Sequence, residues 1–144
     1  MDLEVARVTL DSDVLVDFLR GRNAAVGLVE KLLKEGVCLA TTAVNVFELA
    51  WGAYKVGRIN DIEELVEVLV VLNLTGKEAM RAGEEIAYLS SLGLMIDIRD
   101  LLIGIIAREN GYALLTGNTK HFTKIRGLKV IEYRTEPPRP SEQL

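Results

Sequence analysis

The sequence is poor in the residues that most often mark a compartment or a catalytic class. It contains one cysteine and one histidine in 144 residues, so no intramolecular disulfide can form and a reducing compartment is expected. The same scarcity argues against a zinc site and against Cys–His catalysis, which need several such side chains. Cys38 stands in an apolar run and is interpreted as a small core residue.

Long apolar runs, targeting signals and phosphate-binding loops are also missing. No stretch approaches the roughly 18 uncharged apolar residues that a membrane helix needs. The acidic start Met1-Asp2-Leu3-Glu4 differs from the positive start of a signal peptide. No glycine-rich phosphate loop of either common type occurs. We therefore expect a cytoplasmic protein without a membrane segment.

The chain also lacks an excess of positive charge. Its 17 Lys and Arg residues against 21 Asp and Glu residues give a net charge of −4, which disfavours nucleic-acid binding by bulk charge. A nuclease that meets phosphates through carboxylate-bound cations and a local basic patch is still compatible with this charge. The composition therefore neither supports nor excludes a nuclease, and its 49% hydrophobic content indicates a folded core.

Apolar periodicity and capping residues predict strands that alternate with helices. Strands are expected at residues 4–11, 37–40, 70–74, 112–115 and 128–131, and helices at about 13–20, 23–35, 43–54, 60–69, 76–91, 97–110 and 119–123. This alternation predicts an α/β fold, a three-layer α/β/α sandwich with a mostly parallel five-stranded sheet. One domain is expected over residues 1–133, followed by a disordered tail over residues 134–144, which contains the three prolines.

Acidic residues stand where the predicted strands end and where apolar helices begin. Asp11 and Asp13 follow the first strand, at the edge of a parallel sheet where ligands bind. Glu48 is flanked by apolar residues, so its charge needs solvent or a partner. Asp97 and Asp100 are three residues apart and point to one face of a helix start. Taken singly, each acid is also explained by helix capping or by a solvated helix edge.

Together these acids form a set that is typical of a site for a hard cation. Carboxylates from three separate segments are joined by Asn118, a neutral oxygen ligand just after the fourth predicted strand. Oxygen ligands suit Mg²⁺ or Mn²⁺. Gly52 and Gly104, each one turn after an acid, predict open space beside the carboxylates. The candidate ligands at this point are Asp11, Asp13, Glu48, Asp97, Asp100 and Asn118.

Four segments resemble the motifs of PIN-domain proteins, particularly VapC-type toxins of toxin–antitoxin pairs. They are residues 10–21 with Asp11, 47–53 with Glu48, 97–104 with Asp100, and 114–122 with Asn118. Their order and spacing agree over roughly residues 7–133. The resemblance implies a Mg²⁺- or Mn²⁺-dependent endoribonuclease that forms a homodimer and is inhibited by a small antitoxin protein. It also implies that Asp11, Glu48 and Asp100 are the catalytic metal ligands.

Three positions depart from the pattern of that family. Asn118 stands where many members carry a fourth aspartate, which bears on whether a second metal ion is held. Gly117 replaces a common arginine and so removes one phosphate contact, while Asp13 is an additional acid that could act as a ligand or support one. In the expected mechanism, a metal held by the three acids activates water for in-line attack on a phosphodiester.

The remaining candidates concern RNA and protein partners. The side chains expected to hold RNA phosphates are Arg99, Lys120 and Lys124, for which plain solvation is the competing interpretation. His121 is interpreted as a surface residue or a neighbour of the metal ligands and not as a general acid. The expected partner surface, for which core packing is the competing interpretation, consists of Trp51, Tyr54, Ile62, Leu65 and Val66.

Two alternative functions stay open at this point. One is a PIN fold that has lost its activity and only binds protein. The other is a phosphatase, because residues 11–14 also resemble the nucleophile motif of haloacid-dehalogenase-type enzymes. In that alternative Asp11 would attack phosphorus and Asp13 would act as acid and base, whereas Glu48 would have no role.

Overall fold

A computed structural model describes residues 6–134 of the chain. Its strands are β1 Arg7–Leu10, β2 Cys38–Thr42, β3 Val70–Leu72, β4 Ala113–Thr116 and β5 Val130–Glu132. Its helices are α1 Ser12–Leu19, α2 Asn23–Lys34, α3 Ala43–Lys55, α4 Ile59–Val68, α5 Gly76–Ser91, α6 Ile98–Glu109 and α7 Thr119–Phe122. The predicted tail lies almost entirely outside the described residues.

The five strands form one sheet in the order β3-β2-β1-β4-β5, and every pair of neighbours is parallel. β1 occupies the centre because it pairs with β2 on one side and with β4 on the other. Since all strands run in the same direction, their carboxyl ends share one edge of the sheet. The predicted α/β/α fold with a five-stranded parallel sheet is confirmed.

The sheet separates two apolar layers. Val8 and Leu10 of β1 and Leu115 of β4 pack with α1, α2, α3 and α4 on one face. Leu114 of β4 points to the opposite face, as alternation along a strand requires, and packs with residues of α5, α6 and α7. α6 is apolar nearly all round because four of its large side chains are almost fully buried, namely Leu101, Ile103, Ile105 and Ile106.

Part of the expected partner surface is wrong. Ile62 and Leu65 of α4 are each only 6% exposed and belong to the core layer over β1. Val66 is partly buried against the same core. The apolar stripe of α4 therefore serves packing within the chain, because α4 must bury one face against α3. Only Trp51 and Tyr54 of the expected set are exposed.

Two smaller expectations also fail. Cys38 begins β2 and is exposed, with its Sγ 3.5 Å from the hydroxyl of Tyr112, so it is not a core residue. Gly104 does not leave open space, because a Cβ atom there would overlap Cδ1 of Ile125. Gly104 instead allows α6 to approach the segment after α7, whereas a Cβ at Gly52 would meet nothing within 4 Å. Within residues 6–134, no helix is long and apolar enough to cross a bilayer.

Candidate functional site

Asp11 lies at the carboxyl end of the central strand and is held by three donors. It caps α1, and its Oδ1 accepts the backbone N–H of Ser12 at 2.8 Å. The Nδ2 group of Asn45 donates to the same oxygen at 2.9 Å. Oδ2 accepts the hydroxyl of Thr116, at the end of β4, at 2.7 Å. The parallel neighbours β1 and β4 therefore bring an acid and its anchor to the same sheet edge.

Glu48 is brought to Asp11 by α3. This helix begins directly after β2, with a capping box between Thr42 and Asn45. Glu48 is the sixth residue of the helix. The hydroxyl of Ser12 donates to Oε1 of Glu48 at 3.0 Å. On the other side, Nη1 of Arg99 lies 3.6 Å from Oε2. The glutamate is therefore held between a motif on α1 and a cation on α6.

Asp100 lies in the first turn of α6 and contacts the only histidine. Nδ1 of His121 lies 3.0 Å from Oδ2 of Asp100, and Nδ2 of Asn118 lies 2.9 Å from the same ring nitrogen. Asn118 therefore reaches the acidic group through His121, and this places His121 beside a predicted ligand. Asp97 caps α6 by accepting the backbone N–H of Arg99 at 2.8 Å, and it is exposed.

Asp13 is engaged by the backbone. Its Oδ1 accepts the N–H of Val14 and its Oδ2 accepts the N–H of Gly117, both at 2.8 Å. A Cβ at Gly117 would lie 2.7 Å from that Oδ2 and 3.3 Å from the carbonyl oxygen of Tyr133. Asp13 thus ties α1 to the loop after β4, and the missing side chain at Gly117 makes room for this contact.

Burial and repulsion from neighbouring acids raise the pKa values of Asp11, Glu48 and Asp13. Burial raises the pKa of Asp11, which its hydrogen bonds only partly oppose, and the charge of Asp100 raises it further. Burial also raises the pKa of Glu48, and the charges of Asp11 and Asp100 add to this effect. Burial and the charge of Asp11 raise the pKa of Asp13 to about 6. Acids from distant parts of the chain therefore share one electrostatic environment.

The donor set fits a hard divalent cation. A cation between these carboxylates would relieve the repulsion that now disfavours their charged forms. No three acid, imidazole or thiol groups in the part of the chain that is described already surround one point. Mg²⁺ needs only one or two direct carboxylate ligands and keeps several waters. Asp11, Glu48 and Asp100 meet that requirement without a closed cage.

Of the predicted phosphate-binding side chains, Arg99 contacts the acidic group, and Lys120 and Lys124 belong to the segment around α7; we refer to the three as the basic rim. Arg99 is about half exposed, and its Nε also lies 3.6 Å from Asp97 Oδ1. Lys120 is exposed on α7. Nζ of Lys124 donates to the carbonyl oxygen of Met95 at 3.0 Å. All three positive groups are thus carried by α6 and by the segment around α7.

The residues that hold the acids in place were missed at the sequence level. Asn45, Thr116 and Ser12 make the hydrogen bonds that connect the motifs, and Asn45 and Thr116 are fully buried. One signal was available for Asn45. It stands three residues after Thr42 and three before Glu48, so it can close a capping box and still share the face of Glu48.

An exposed aromatic surface lies on the same helix as Glu48. Phe47, Trp51 and Tyr54 of α3 are 57%, 55% and 69% exposed, and we refer to these three residues as the α3 aromatic face. The rings of Phe47 and Trp51 are 6.0 Å apart between centroids. Two of the three belong to the predicted partner surface, and Phe47 extends it toward the acids.

Comparison with protein families and curated proteins yields one consistent result. The family model of the PIN domain matches residues 8–128. Ribonuclease VapC2 of Haemophilus influenzae is 25% identical over 124 residues, which is 83% of this chain and 92% of that protein. The tRNA(fMet)-specific endonuclease VapC of Shigella flexneri is 26% identical over 128 residues, covering 86% and 96%. The resemblance to VapC-type PIN-domain proteins that the four motifs predicted is confirmed.

A solved structure shares the fold. The structure of VapBC2 from Rickettsia felis bound to a DNA fragment from its promoter superimposes with a TM-score of 0.80. It is 22% identical and covers 89% of this chain and 99% of the compared chain. At this identity the likeness establishes the architecture, and the match spans nearly the whole chain.

Proposed function

Since the chain belongs to the PIN domain family, we propose that it is a Mg²⁺- or Mn²⁺-dependent endoribonuclease and the toxin of a VapBC-type toxin–antitoxin pair. One observation carries the proposal. Asp11, Glu48 and Asp100 come from three segments near the carboxyl edge of the sheet, and the charge of Asp100 raises the pKa values of both Asp11 and Glu48. The names of the curated relatives, which are ribonucleases and an endonuclease, support the same activity class.

The chain's own residues prepare the acidic group before any substrate arrives. Thr116 and Asn45 hold the carboxylate of Asp11, and Ser12 holds that of Glu48. His121 lies against Asp100 and limits its movement. When bound, a divalent cation supplies positive charge for the phosphate in the transition state and makes a nearby water more acidic. These hydrogen bonds therefore restrict the carboxylates of Asp11 and Glu48 before a cation binds.

The substrate phosphates would lie between the acids and the basic rim. Arg99 contacts Glu48 and Asp97 in this structure, so its guanidinium is already at the acidic group and can turn to a phosphate oxygen. Lys120 is exposed and faces solvent. Lys124 has two further N–H groups besides the one given to Met95. These cations provide local positive charge in a chain whose net charge is −4.

Protein partners form the second part of the proposal. A small antitoxin protein and a second copy of the chain are the proposed partners, and the α3 aromatic face offers apolar area to one of them. Exposed Trp and Tyr side chains are enriched at protein interfaces. The compared structure from Rickettsia felis is itself a VapBC assembly, which is consistent with this part of the proposal.

Of the alternatives, only the inactive PIN-fold binding module is retained. The substitution of Asn118 at the usual position of a fourth acid and the negative net charge favour it. The phosphatase alternative is dropped, because the PIN domain is the family that matches. Asp13 would act as acid and base in that alternative, but both of its carboxylate oxygens accept backbone N–H groups.

The test is cleavage of a panel of labelled structured RNAs with Mg²⁺, with Mn²⁺ and with EDTA. Asp11→Asn and Asp100→Asn are each expected to lower the cleavage rate by about a hundredfold or more, because each removes a charge that the cation needs. Asp61→Asn is the matched control, since Asp61 is an exposed acid on α4 that pairs with Arg58. Cleavage should stop in EDTA.

Two results would count against the proposal. Cleavage that persists in EDTA or in both variants would place the activity elsewhere. If a folded preparation free of antitoxin cuts no RNA, calorimetric titration with Mn²⁺ separates the remaining possibilities. Metal binding without cleavage would indicate a narrow RNA target, whereas the absence of metal binding would favour the inactive binding module.

A further inference from the structure

Asn45 is completely buried at the start of α3, and both ends of its amide are occupied. Its Nδ2 lies 2.9 Å from Oδ1 of Asp11 and 2.9 Å from the hydroxyl oxygen of Ser12. Its Oδ1 accepts the backbone N–H of Thr42 at 3.3 Å and the hydroxyl of Thr42 at 2.7 Å. Because a backbone N–H can only donate, the amide oxygen must face Thr42 and the NH₂ group must face the acids.

The hydrogen bonds to Asp11 are distributed unevenly between its two oxygens. Oδ1 accepts two N–H groups, from Ser12 and from Asn45. Oδ2 accepts one hydroxyl, from Thr116. A carboxylate oxygen offers about two lone-pair directions. Oδ1 is therefore saturated, and Oδ2 keeps one free direction for a further ligand.

The same amide also directs the hydroxyl of Ser12. That oxygen accepts an N–H of Asn45, so its single hydrogen is left to point to Oε1 of Glu48, which lies 3.0 Å away. Oε1 is thereby held, and Oε2 faces the looser contact with Arg99 at 3.6 Å. Asn45 thus reaches Glu48, which lies on the same helix α3, through Ser12 of α1.

We propose that Asn45 is a positioning residue for the acidic site: its amide selects Oδ2 of Asp11 and Oε2 of Glu48 as the atoms that face a bound cation. The selection arises because hydrogen bonds already occupy the other oxygen of each carboxylate, Oδ1 of Asp11 and Oε1 of Glu48, before the cation binds. This inference rests on the proposed function for the presence of the cation. The hydrogen bonds themselves exist in the chain without it.

The test measures the affinity of the full chain for Mn²⁺ by calorimetry and the melting temperature of the same preparations. Asn45→Ala is expected to weaken Mn²⁺ binding about tenfold, the effect typical of residues that orient metal ligands. Leu49→Ala is the matched control. Leu49 lies on the same helix and is buried in the core, so its loss lowers the melting temperature while Mn²⁺ affinity stays within about twofold. Equal affinities in the two variants would overturn the proposal.

Ser12→Ala keeps the test decisive if Asn45→Ala does not fold. It removes the connection to Glu48 while Asn45 still holds Asp11, so a loss of affinity that is smaller than tenfold is expected. Unchanged Mn²⁺ affinity in Ser12→Ala would overturn the proposed connection from Asn45 through Ser12 to Glu48. If the wild type binds no Mn²⁺, the proposed function fails, and hydrogen exchange of the Asn45 side-chain amide then judges the positioning. Slow exchange in the wild type and faster exchange in Ser12→Ala would support it, and equally fast exchange would contradict it.

Discussion

Asp13 and Gly117 behave as a pair at the level of single residues. The loop after β4 gives its N–H at position 117 to Asp13 Oδ2, and no space remains for a side chain between them. The two positions also carry two of the departures from the PIN-domain pattern. Asp13 accepts the backbone N–H of residue 117, and a glycine at that position lets the backbone come close enough to donate it. We therefore interpret the two departures together.

Gly117→Ala is expected to lower the free energy of unfolding by about 1–3 kcal/mol, the usual cost of an extra methyl group in a filled space. The new Cβ would lie 2.7 Å from Asp13 Oδ2. Gly52→Ala is the control, because a Cβ there meets nothing and alanine favours the helix by about 0.5–1 kcal/mol. Denaturant unfolding measures both. Equal stability of Gly117→Ala and wild type would contradict the paired interpretation.

The raised pKa of Asp13 predicts a pH dependence of stability. Its pKa is about 6 in the folded chain, against an ordinary value of 3.8 for an aspartate side chain. Between those values the folded form holds a proton that the unfolded form has lost, so this contribution to stability is largest below about pH 4 and is lost as the pH rises through about 6. Asp11 and Glu48, whose pKa values are also raised, act in the same direction.

The measurement is urea unfolding without divalent cations at about pH 4.5, 5.5 and 6.5. The free energy of unfolding should fall across this series in the wild type and fall less in Asp13→Ser, because one of the three contributing acids is gone. Saturating Mn²⁺ should weaken the decline, since a bound cation favours the ionised carboxylates. A slope that is identical in wild type and Asp13→Ser would contradict the shift assigned to Asp13.

At the scale of elements, the order of strands and helices could be read from the sequence because periodicity and capping are local signals. Asp11 and Asn118 could be placed at one sheet edge because parallel strands share their carboxyl ends. The contacts of Asn45 with Asp11 and Ser12 could not be predicted from the sequence, because they depend on how α3 packs on α1. The burial of Ile62 was also out of reach, since an apolar helix stripe does not say whether the chain itself or a partner covers it.

A buried hydrogen bond connects Tyr133, the residue after β5, to α1. Tyr133 is 4% exposed, and its hydroxyl donates to Oδ2 of Asp17 at 2.7 Å. Asp17 also lies 3.3 Å from Nε of Arg22, at the start of α2. The last described segment of the chain is thereby attached to α1, the helix that Asp11 caps.

Tyr133→Phe is expected to lower the free energy of unfolding by about 1.5–3 kcal/mol, because it removes a hydrogen bond to a charged and buried group. Tyr54→Phe is the control, since the Tyr54 ring is 69% exposed and its hydroxyl can bond to water in both states. Thermal unfolding of the two variants makes the comparison. If both variants have the same melting temperature as the wild type, the hydrogen bond between Tyr133 and Asp17 does not contribute to stability.

At the scale of the whole molecule, charge and apolar area are separated along the sheet edge. The acids and the basic rim occupy the carboxyl ends of the strands, where α6, α7 and α3 meet. The α3 aromatic face lies on the same helix as Glu48, and Trp51 follows Glu48 by three residues, about one helical turn. A partner bound to this face would therefore lie beside the acidic site, where it could also block the access of RNA to the acids.

Trp51→Ala tests this surface. Truncating a central aromatic residue of an interface costs about 2 kcal/mol or more, which corresponds to roughly a 30-fold loss of affinity. We expect Trp51→Ala to weaken self-association, measured as mass by light scattering, or binding to the antitoxin, while Mn²⁺ affinity stays unchanged because Trp51 makes no contact with the acids in the described hydrogen bonds and ion pairs. Met80→Ala is the control, since Met80 is 74% exposed on α5. If mass and antitoxin affinity match the wild type in both variants, the α3 aromatic face is not an interface, and the exposed ring pair of Phe47 and Trp51 serves no partner.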